Sequence, residues 1–217
     1  MNNGKFEKEY WQQNYLDPQD MDGIYNAADH AQFLKLFFKL EHIDIHSMID
    51  FGMGPGHMLT HMIKAFRPKR VAAIDPSLLA LKKSERRINR ANLKCQIKIE
   101  QRDLETWAKL QKPSSPRFDL GICTSVIQYI DNKSMTAVLS AMAKKVKYLY
   151  LTVPTDIEYR RMYKDFRYRD SYANSRTQQF YLKKLRPHFT VVGQRVLESK
   201  TFFDVNTTKI TELLYRF

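Results

Sequence analysis

Three of the seven glycines in this 217-residue chain fall within five positions, Gly52-Met53-Gly54-Pro55-Gly56. A glycine loop between a strand and a helix lets a ligand approach backbone N–H groups at a helix N-terminus. Asp50 stands two residues before the first glycine. A carboxylate there suits a ligand carrying positive charge beside the loop and would repel a pyrophosphate. Asp75, followed by Pro76, comes 25 residues after Asp50, at a place where a carboxylate can accept ribose hydroxyl protons. Asp103-Leu104 is an acid–apolar pair of the kind that suits an adenine, the acid for the exocyclic amine and the leucine for the ring. Asp103 could equally cap a helix and Asp75 could belong to a turn. Three acids at successive strand ends, with the glycine loop at the first, argue against coincidence. The dinucleotide pattern G-x-G-x-x-G needs glycine where His57 stands, which together with Asp50 disfavours a nicotinamide dehydrogenase.

The elements that must carry these residues read as alternating strands and helices. Ser47–Phe51 is a short apolar strand, His57–Phe66 a helix, Arg70–Asp75 a strand and Ser77–Ala91 a long helix. Gln96–Glu100, Arg117–Cys123 and Val146–Val153 are further strands, with a helix over Asn132–Lys145. Short joints between them imply parallel strands with helical crossovers, an α/β doubly wound sheet with helices on both faces. Before this core, Ala27–Leu40 has helical spacing, with Phe33, Leu34, Phe37, Phe38 and Leu40 on one face and His30 near it. At the end, Phe189–Leu197 and Thr208–Phe217 are β-rich runs joined by Glu198–Thr207, too short for a crossover helix. They are expected to pair as an antiparallel hairpin.

In this context Asp50-Phe51-Gly52-Met53-Gly54-Pro55-Gly56 resembles the first motif of class I S-adenosylmethionine-dependent methyltransferases. Asp75 matches the family's ribose-binding acid, and Asp103-Leu104 its adenine-contacting pair. Phe118-Asp119-Leu120 through Ser125-Val126-Ile127-Gln128-Tyr129-Ile130 is similar to its fourth strand and the segment after it. The resemblance covers residues 45–153 by motif and the C-terminus by topology. It implies a mostly parallel seven-stranded sheet with a C-terminal antiparallel hairpin, bound S-adenosyl-L-methionine, and methyl transfer. Asp50 and the loop would hold the methionine end, and Thr124, Ser125 and Tyr129 would line the site near the methyl group. The chain then divides into an N-terminal helical lid (1–44), a cofactor-binding core (45–153), a substrate-side insertion and helix (154–186) and a closing hairpin (187–217).

The acceptor is less legible. The segment Cys123-Thr124-Ser125-Val126 lacks the Asn/Asp-Pro-Pro-aromatic motif of amide and exocyclic nitrogen methylation and the Pro-Cys of cytosine-C5 enzymes. No glutamate occurs between Glu105 and Glu158, so the paired glutamates of arginine methyltransferases are missing. A small or medium-sized substrate methylated on O or N is the remaining reading. Such acceptors need a base, and Tyr129 either supplies or orients one or is a half-buried core tyrosine. Cys123 reads as a buried strand residue. Tyr10 and Trp11, with Tyr15 and Tyr25, either wall the pocket or merely pack. Thr155–Arg176 interleaves Tyr159, Tyr163, Phe166, Tyr168 and Tyr172 with Arg160, Arg161, Lys164, Arg167, Arg169 and Arg176. That mixture suits an anionic substrate, or bases and phosphates of RNA, or a surface helix with snorkelling side chains. Ser175-x-x-Gln178 resembles a capping box opening a helix that runs to Leu185. His57 and His61 are one turn apart but have no further ligand set, and no metal is assigned.

The chain carries 36 Lys+Arg against 23 Asp+Glu, a net charge of +13. The excess is uneven, with 4 basic against 9 acidic residues in positions 1–50 and 11 against 3 in 51–100. Lys82, Lys83, Arg86, Arg87 and Arg90 lie on one helix and read as a solvated face. Only the Arg/Tyr segment bears on substrate choice. An RNA or nucleotide methyltransferase is the enzyme alternative, and a catalytically silent binding module of the same fold the alternative from another class. Two cysteines, Cys95 and Cys123, make no disulfide framework, no apolar run is long enough for a membrane span, and the first residues lack a signal-peptide core. A cytoplasmic enzyme without a membrane role is the expectation, its oligomeric state unspecified.

Overall fold

Every strand of the sheet sends alternate residues to opposite faces, and here both faces are apolar. Met48, Leu120, Ile122, Tyr148 and Tyr150 point to one side, and Ile49, Phe51, Cys123, Leu149 and Leu151 to the other. Strands buried on both faces need helices on both faces, as crossovers between parallel strands supply. The computed structural model describes residues 23–217. In chain order its elements are α1 (Ala27–Leu40), β1 (Ser47–Phe51), α2 (His57–Phe66), β2 (Arg70–Asp75), α3 (Leu78–Arg90), β3 (Gln96–Gln101) and α4 (Leu104–Lys109). They continue with β4 (Phe118–Thr124), a 3-10 turn (Ile127–Tyr129), α5 (Met135–Lys145), β5 (Val146–Thr152), α6 (Asp156–Phe166), α7 (Gln178–Leu185), β6 (Phe189–Gly193) and β7 (Val196–Ser199).

The sheet has seven strands in the order β3-β2-β1-β4-β5-β7-β6. β1 pairs in parallel with β2 and β4, β2 with β3 and β4 with β5, while β7 runs antiparallel to both β5 and β6. The chain builds outward from β1 to β3, then returns to the other side of β1 with β4. The ends of β1 and β4 therefore diverge into a crevice, the place where open α/β sheets bind ligands. Helices α1, α2 and α3 cover one face, and α4, α5 and α7 the other.

The hairpin differs from the sequence expectation. It closes within Phe189–Ser199, with Gly193 paired to Val196 across Gln194-Arg195. Arg195 takes a left-handed φ of 63° at this two-residue connection. The single β-rich run Phe189–Leu197 thus holds a turn, and Thr208–Phe217 forms no strand. The tail instead folds back on the edge. Phe217 exchanges both backbone hydrogen bonds with Val191, at 2.8 and 3.1 Å, covering the otherwise unpaired outer edge of β6. Thr211 donates from N–H and hydroxyl to Glu41 Oε2 at the end of α1. The face of α1 also differs. Ala27, His30, Ala31, Leu34 and Phe38 are buried, whereas Phe33 and Leu40 are exposed, because the stripe that meets the sheet follows the 27-30-31-34-38 spacing and those two fall off it. The expected capping box at Ser175 is absent. Thr177 caps α7 by accepting from Phe180 N–H at 3.2 Å.

The tail is locked by an ion pair between Arg216 and Glu198, whose side chains are 9% and 0% exposed. Thr208 donates to the other Glu198 oxygen at 2.8 Å. Replacing one partner strands a buried charge. Arg216→Met is expected to cost about 3–5 kcal/mol, read as a fall in urea midpoint. Glu198→Gln combined with Arg216→Met should recover part of that loss; equal stability of single variant and wild type contradicts the lock.

Candidate functional site

The crevice begins where β1 ends. The N–H groups of Gly52 and Met53 both donate to the Ile74 carbonyl, at 2.8 and 3.2 Å, so the loop turns over the end of β2. Gly52 has φ +79°, and a Cβ there would lie 2.5 Å from Val126 Cγ2. The bare Cα lets the turn after β4 press against the loop. Gly56, φ +79°, caps α2, and a Cβ would lie 2.4 Å from Ser84 Oγ on α3. Arg87, also on α3, donates to the Pro55 carbonyl at 3.2 Å and meets His57 Nε2 at 2.8 Å. Arg87 therefore departs from the solvated face expected of its helix and braces the loop. Burial first, then the neighbouring Arg87 and His61 charges, push His57 down to about 4, so its imidazole is neutral.

Two carboxylates lie beneath the loop. Asp75 accepts from Gly54 N–H and Ser77 N–H, each at 2.9 Å. Its burial outweighs these two bonds and raises it to about 6. Asp50 is 1% exposed, and its Oδ2 has no hydrogen-bond partner. Burial, reinforced by Asp75, raises it to about 8. The buried Cys123 thiol is pushed far up by the same desolvation and by Asp50, as befits a strand residue. Among the described residues no cluster of three metal-ligating side chains occurs.

Beyond the loop opens a cavity of about 1410 Å³. Of the residues singled out by sequence, Gly52, Gly54, Thr124, Ser125, Tyr129 and Arg161 line it. Ser125 reaches it through a left-handed φ of 54°, its N–H held by the Thr152 carbonyl at 2.9 Å. Others lie off the cavity wall. Asp75 faces the loop, and the Pro76 carbonyl accepts from Gln101 at 3.1 Å. Asp103 is the N-cap of α4, accepting from Thr106 N–H at 2.7 Å, and Leu104 packs in the core. Arg160 pairs with Asp156 at 3.0 Å in solvent. Tyr10 and Trp11 lie outside the described residues.

The far wall comes from α6 and the segment after it, the Arg/Tyr-rich stretch the sequence singled out, with Asp170 as the member the sequence reading did not mark. It contributes Tyr159, Tyr168 and Asp170, with Arg167 and Arg169. Tyr129 donates to Asp170 Oδ2 at 2.7 Å. Arg195, at the turn of the hairpin, also lines the cavity and contacts His30, itself buried against Tyr150. Arg176 is not a ligand-facing arginine. It is 7% exposed and donates to the carbonyls of Ile127 (3.3 Å) and Ile130 (2.5 Å) and to Asn132 Oδ1 (2.9 Å). Asn174 adds two bonds to the Gln128 carbonyl. This segment therefore clamps the 3-10 turn that presents Tyr129.

Residues 48–148 match the family model for a methyltransferase domain. An S-adenosylmethionine-dependent methyltransferase from Clostridium acetobutylicum ATCC 824 shares the fold with a TM-score of 0.60 at 14% identity, over 82% of this chain and 84% of that one. The plantazolicin methyltransferase BpumL, in complex with SAH, gives 0.63 at 12% identity over 84% and 70% of the two chains. The methyltransferase domain of bacterial CtHen1-C gives 0.56 at 18% identity over 76% and 85%. No curated protein matches the sequence. Residues 48–148 therefore match a methyltransferase domain, set in the fold that S-adenosylmethionine-dependent methyltransferases share. The chain's residues fit that cofactor. The orphaned Asp50 oxygen suits a cationic group beside the loop, and each Asp75 oxygen, holding one N–H, has a second lone pair for a hydroxyl.

Both buried acids have raised pKa values, so between the ordinary carboxylate range and about 8 the folded state holds protons that the unfolded chain has lost. The contribution of these two acids to ligand-free stability should therefore fall as pH rises from about 4 to 8 and level off above, opposed between about 4 and 6.5 by the lowered His57, whose contribution rises with pH. Thermal melts of Asp50→Asn should be flatter over this range, retaining the Asp75 contribution up to about 6. A difference between wild-type and Asp50→Asn melting temperatures that stays constant from pH 4 to 8 contradicts the assignment.

Proposed function

We propose that this methyltransferase transfers a methyl group to an oxygen or nitrogen of a small or medium-sized anionic substrate. The observation that carries the reading is the charge of the cavity wall. Among the described residues Arg161, Arg167, Arg169 and Arg195 line it, against two carboxylates, Glu158 and Asp170. Glu158 is committed to its own helix, accepting from Thr155 N–H at 2.7 Å. The volume of about 1410 Å³ exceeds the ~300–1,000 Å³ of ordinary ligand pockets and leaves room for donor and acceptor together.

In this reading Asp50, the Gly52–Gly56 loop, Asp75 and Thr124 hold the cofactor. Asp103 and Leu104 shape its adenine end from the start of α4, the helix that Asp103 caps. The cofactor supplies a methyl group on a positively charged sulfur. The chain's own work is alignment and exclusion of water, since an in-line displacement gains most from a fixed approach. Ser125 and Tyr129 face the acceptor from the β4 side, and Arg161 faces its anionic group from α6. Residues 154–186 thus form the substrate side. Arg160, paired with Asp156 outside the cavity, contributes to the positive approach and not to contact.

Tritiated-methyl transfer from S-adenosylmethionine into fractionated cell extract tests this. Label is expected in the small-molecule fraction, bound by anion exchange. Arg161→Ala with Arg169→Ala should lower the labelling rate about tenfold at limiting extract, consistent with loss of charge-assisted contacts. Label in RNA, with a steep salt dependence, would support the nucleic-acid alternative instead. Cofactor binding by calorimetry without label in any fraction would support the silent module.

A further inference from the structure

We propose that Asp170 is the terminal acceptor of the proton that the methyl acceptor gives up, with the Tyr129 hydroxyl as the relay between them. The inference rests on the methyl-transfer reading above and names a residue that reading does not require.

The geometry points one way. Tyr129 stands on the 3-10 turn that follows β4 and lines the cavity beside Ser125. Its hydroxyl donates to Asp170 Oδ2 at 2.7 Å, across 41 residues of sequence. The other carboxylate oxygen accepts from Tyr172 N–H at 2.9 Å, which fixes the plane of the group. The two halves of the pair are fastened to each other independently of that bond. Arg176 holds the Ile127 and Ile130 carbonyls on either side of Tyr129, and Asn174 holds Gln128. Such a pair keeps its distance without help from a ligand.

The histidine, the second carboxylate, the arginines and the tyrosines Tyr159 and Tyr168 of the described cavity wall are unsuited to the task. His57 is a neutral imidazole whose Nε2 faces the Arg87 guanidinium at 2.8 Å. Glu158 is spent on the start of α6. Tyr159 and Tyr168 are pushed up, Tyr168 to about 12, by burial and then by the Asp170 charge, so they stay protonated. Asp50 lies beneath the loop and off the wall. The four arginines donate only.

The step balances as follows. The acceptor's O–H or N–H bond breaks, and its electron pair forms the new bond to the methyl carbon. The proton passes to Tyr129 Oη while the Tyr129 proton moves to the Asp170 carboxylate. The electron pair of the broken methyl–sulfur bond stays on sulfur. The net change in the protein is one proton on Asp170, released to water afterwards.

Asp170→Asn keeps a carbonyl oxygen to accept from Tyr129 and removes the base. With the extract assay and tritiated S-adenosylmethionine, its labelling rate should fall by about 10²–10⁴-fold. Tyr129→Phe should fall comparably. Calorimetric affinity for S-adenosylmethionine should stay within twofold in both, which also reports that they are folded. Added formate should restore labelling to Asp170→Ala but not to Tyr129→Phe, a rescue that a merely structural carboxylate would not show. Wild-type rates within threefold for Asp170→Asn, or absence of formate rescue, overturn the relay while leaving methyl transfer intact. Absence of label with the wild-type protein overturns the underlying reading itself, so the two failures are distinct.

Discussion

The end of β2 is the fixed point of this molecule. Three successive loop N–H groups are anchored there, those of Gly52 and Met53 on the Ile74 carbonyl and that of Gly54 on the Asp75 carboxylate. Backbone donors turned toward a strand end cannot also turn toward solvent, so the loop has one shape before any ligand arrives. That shape then dictates its neighbours. Val126 occupies the space a Gly52 side chain would need, and Ser84 the space beside Gly56. The turn after β4 and the helix after β2 are thereby packed against the same five residues. Preorganisation of this kind reduces the ordering cost of binding.

The substrate side is built on the opposite principle. No residue of α6 is buried, and Phe166 is 69% exposed. Its start is fixed by hydrogen bonds: Glu158 on the Thr155 N–H, and the Arg176 carbonyl on the Asp156 N–H at 2.8 Å. The guanidinium of that same Arg176 grips the turn carrying Tyr129. One residue thus joins the support of the cavity wall to the support of Tyr129. A rearrangement of the 167–176 segment therefore cannot leave the 127–130 turn unchanged. Arginine is suited to this because its planar fork can serve several carbonyls at once, which a lysine ammonium does with less geometric definition.

Residues whose role is set by local chain geometry were legible in the sequence. The strand–loop–helix order of Ser47–Phe66, the break at Pro76 and the run of five parallel strands follow from periodicity and glycine spacing, and the structure agrees to within a few residues. The failures share a cause. The hairpin turn at Gln194-Arg195 interrupts an otherwise β-rich run, and nothing in composition distinguishes it from a strand centre. The tail 208–217 has strand-forming residues but is held by side-chain contacts to Glu41 and Glu198. Asp103 sits at a position that serves a ligand or a helix cap, and the cap is what its oxygens make. Arg176 and Asp170 belong to a charged stretch where the sequence offers no means of telling a solvated side chain from a clamp. Their partners lie 41 to 49 residues away, and only the fold brings them together.

The electrostatics beneath the loop connect stability to function. Desolvation disfavours charge on Asp50 and Asp75 alike, and each ionised group raises the cost of ionising the other. An apolar pair of the same volume would fold with less penalty. The arrangement is advantageous only if something positive is meant to lie beside it. A cation entering next to Asp50 favours the ionised carboxylate and removes the like-charge repulsion, so attraction that is weak in water becomes strong in a site already stripped of it. The same reasoning separates the two ends of the crevice. Acids lie beneath the loop, where a cationic donor group would dock, and arginines line the outer wall, where an anionic acceptor would approach. In the proposed reading the arginines act on an anionic acceptor at a distance, whereas Asp50, protonated near neutrality until a cation arrives, develops its attraction only as the donor docks beside it.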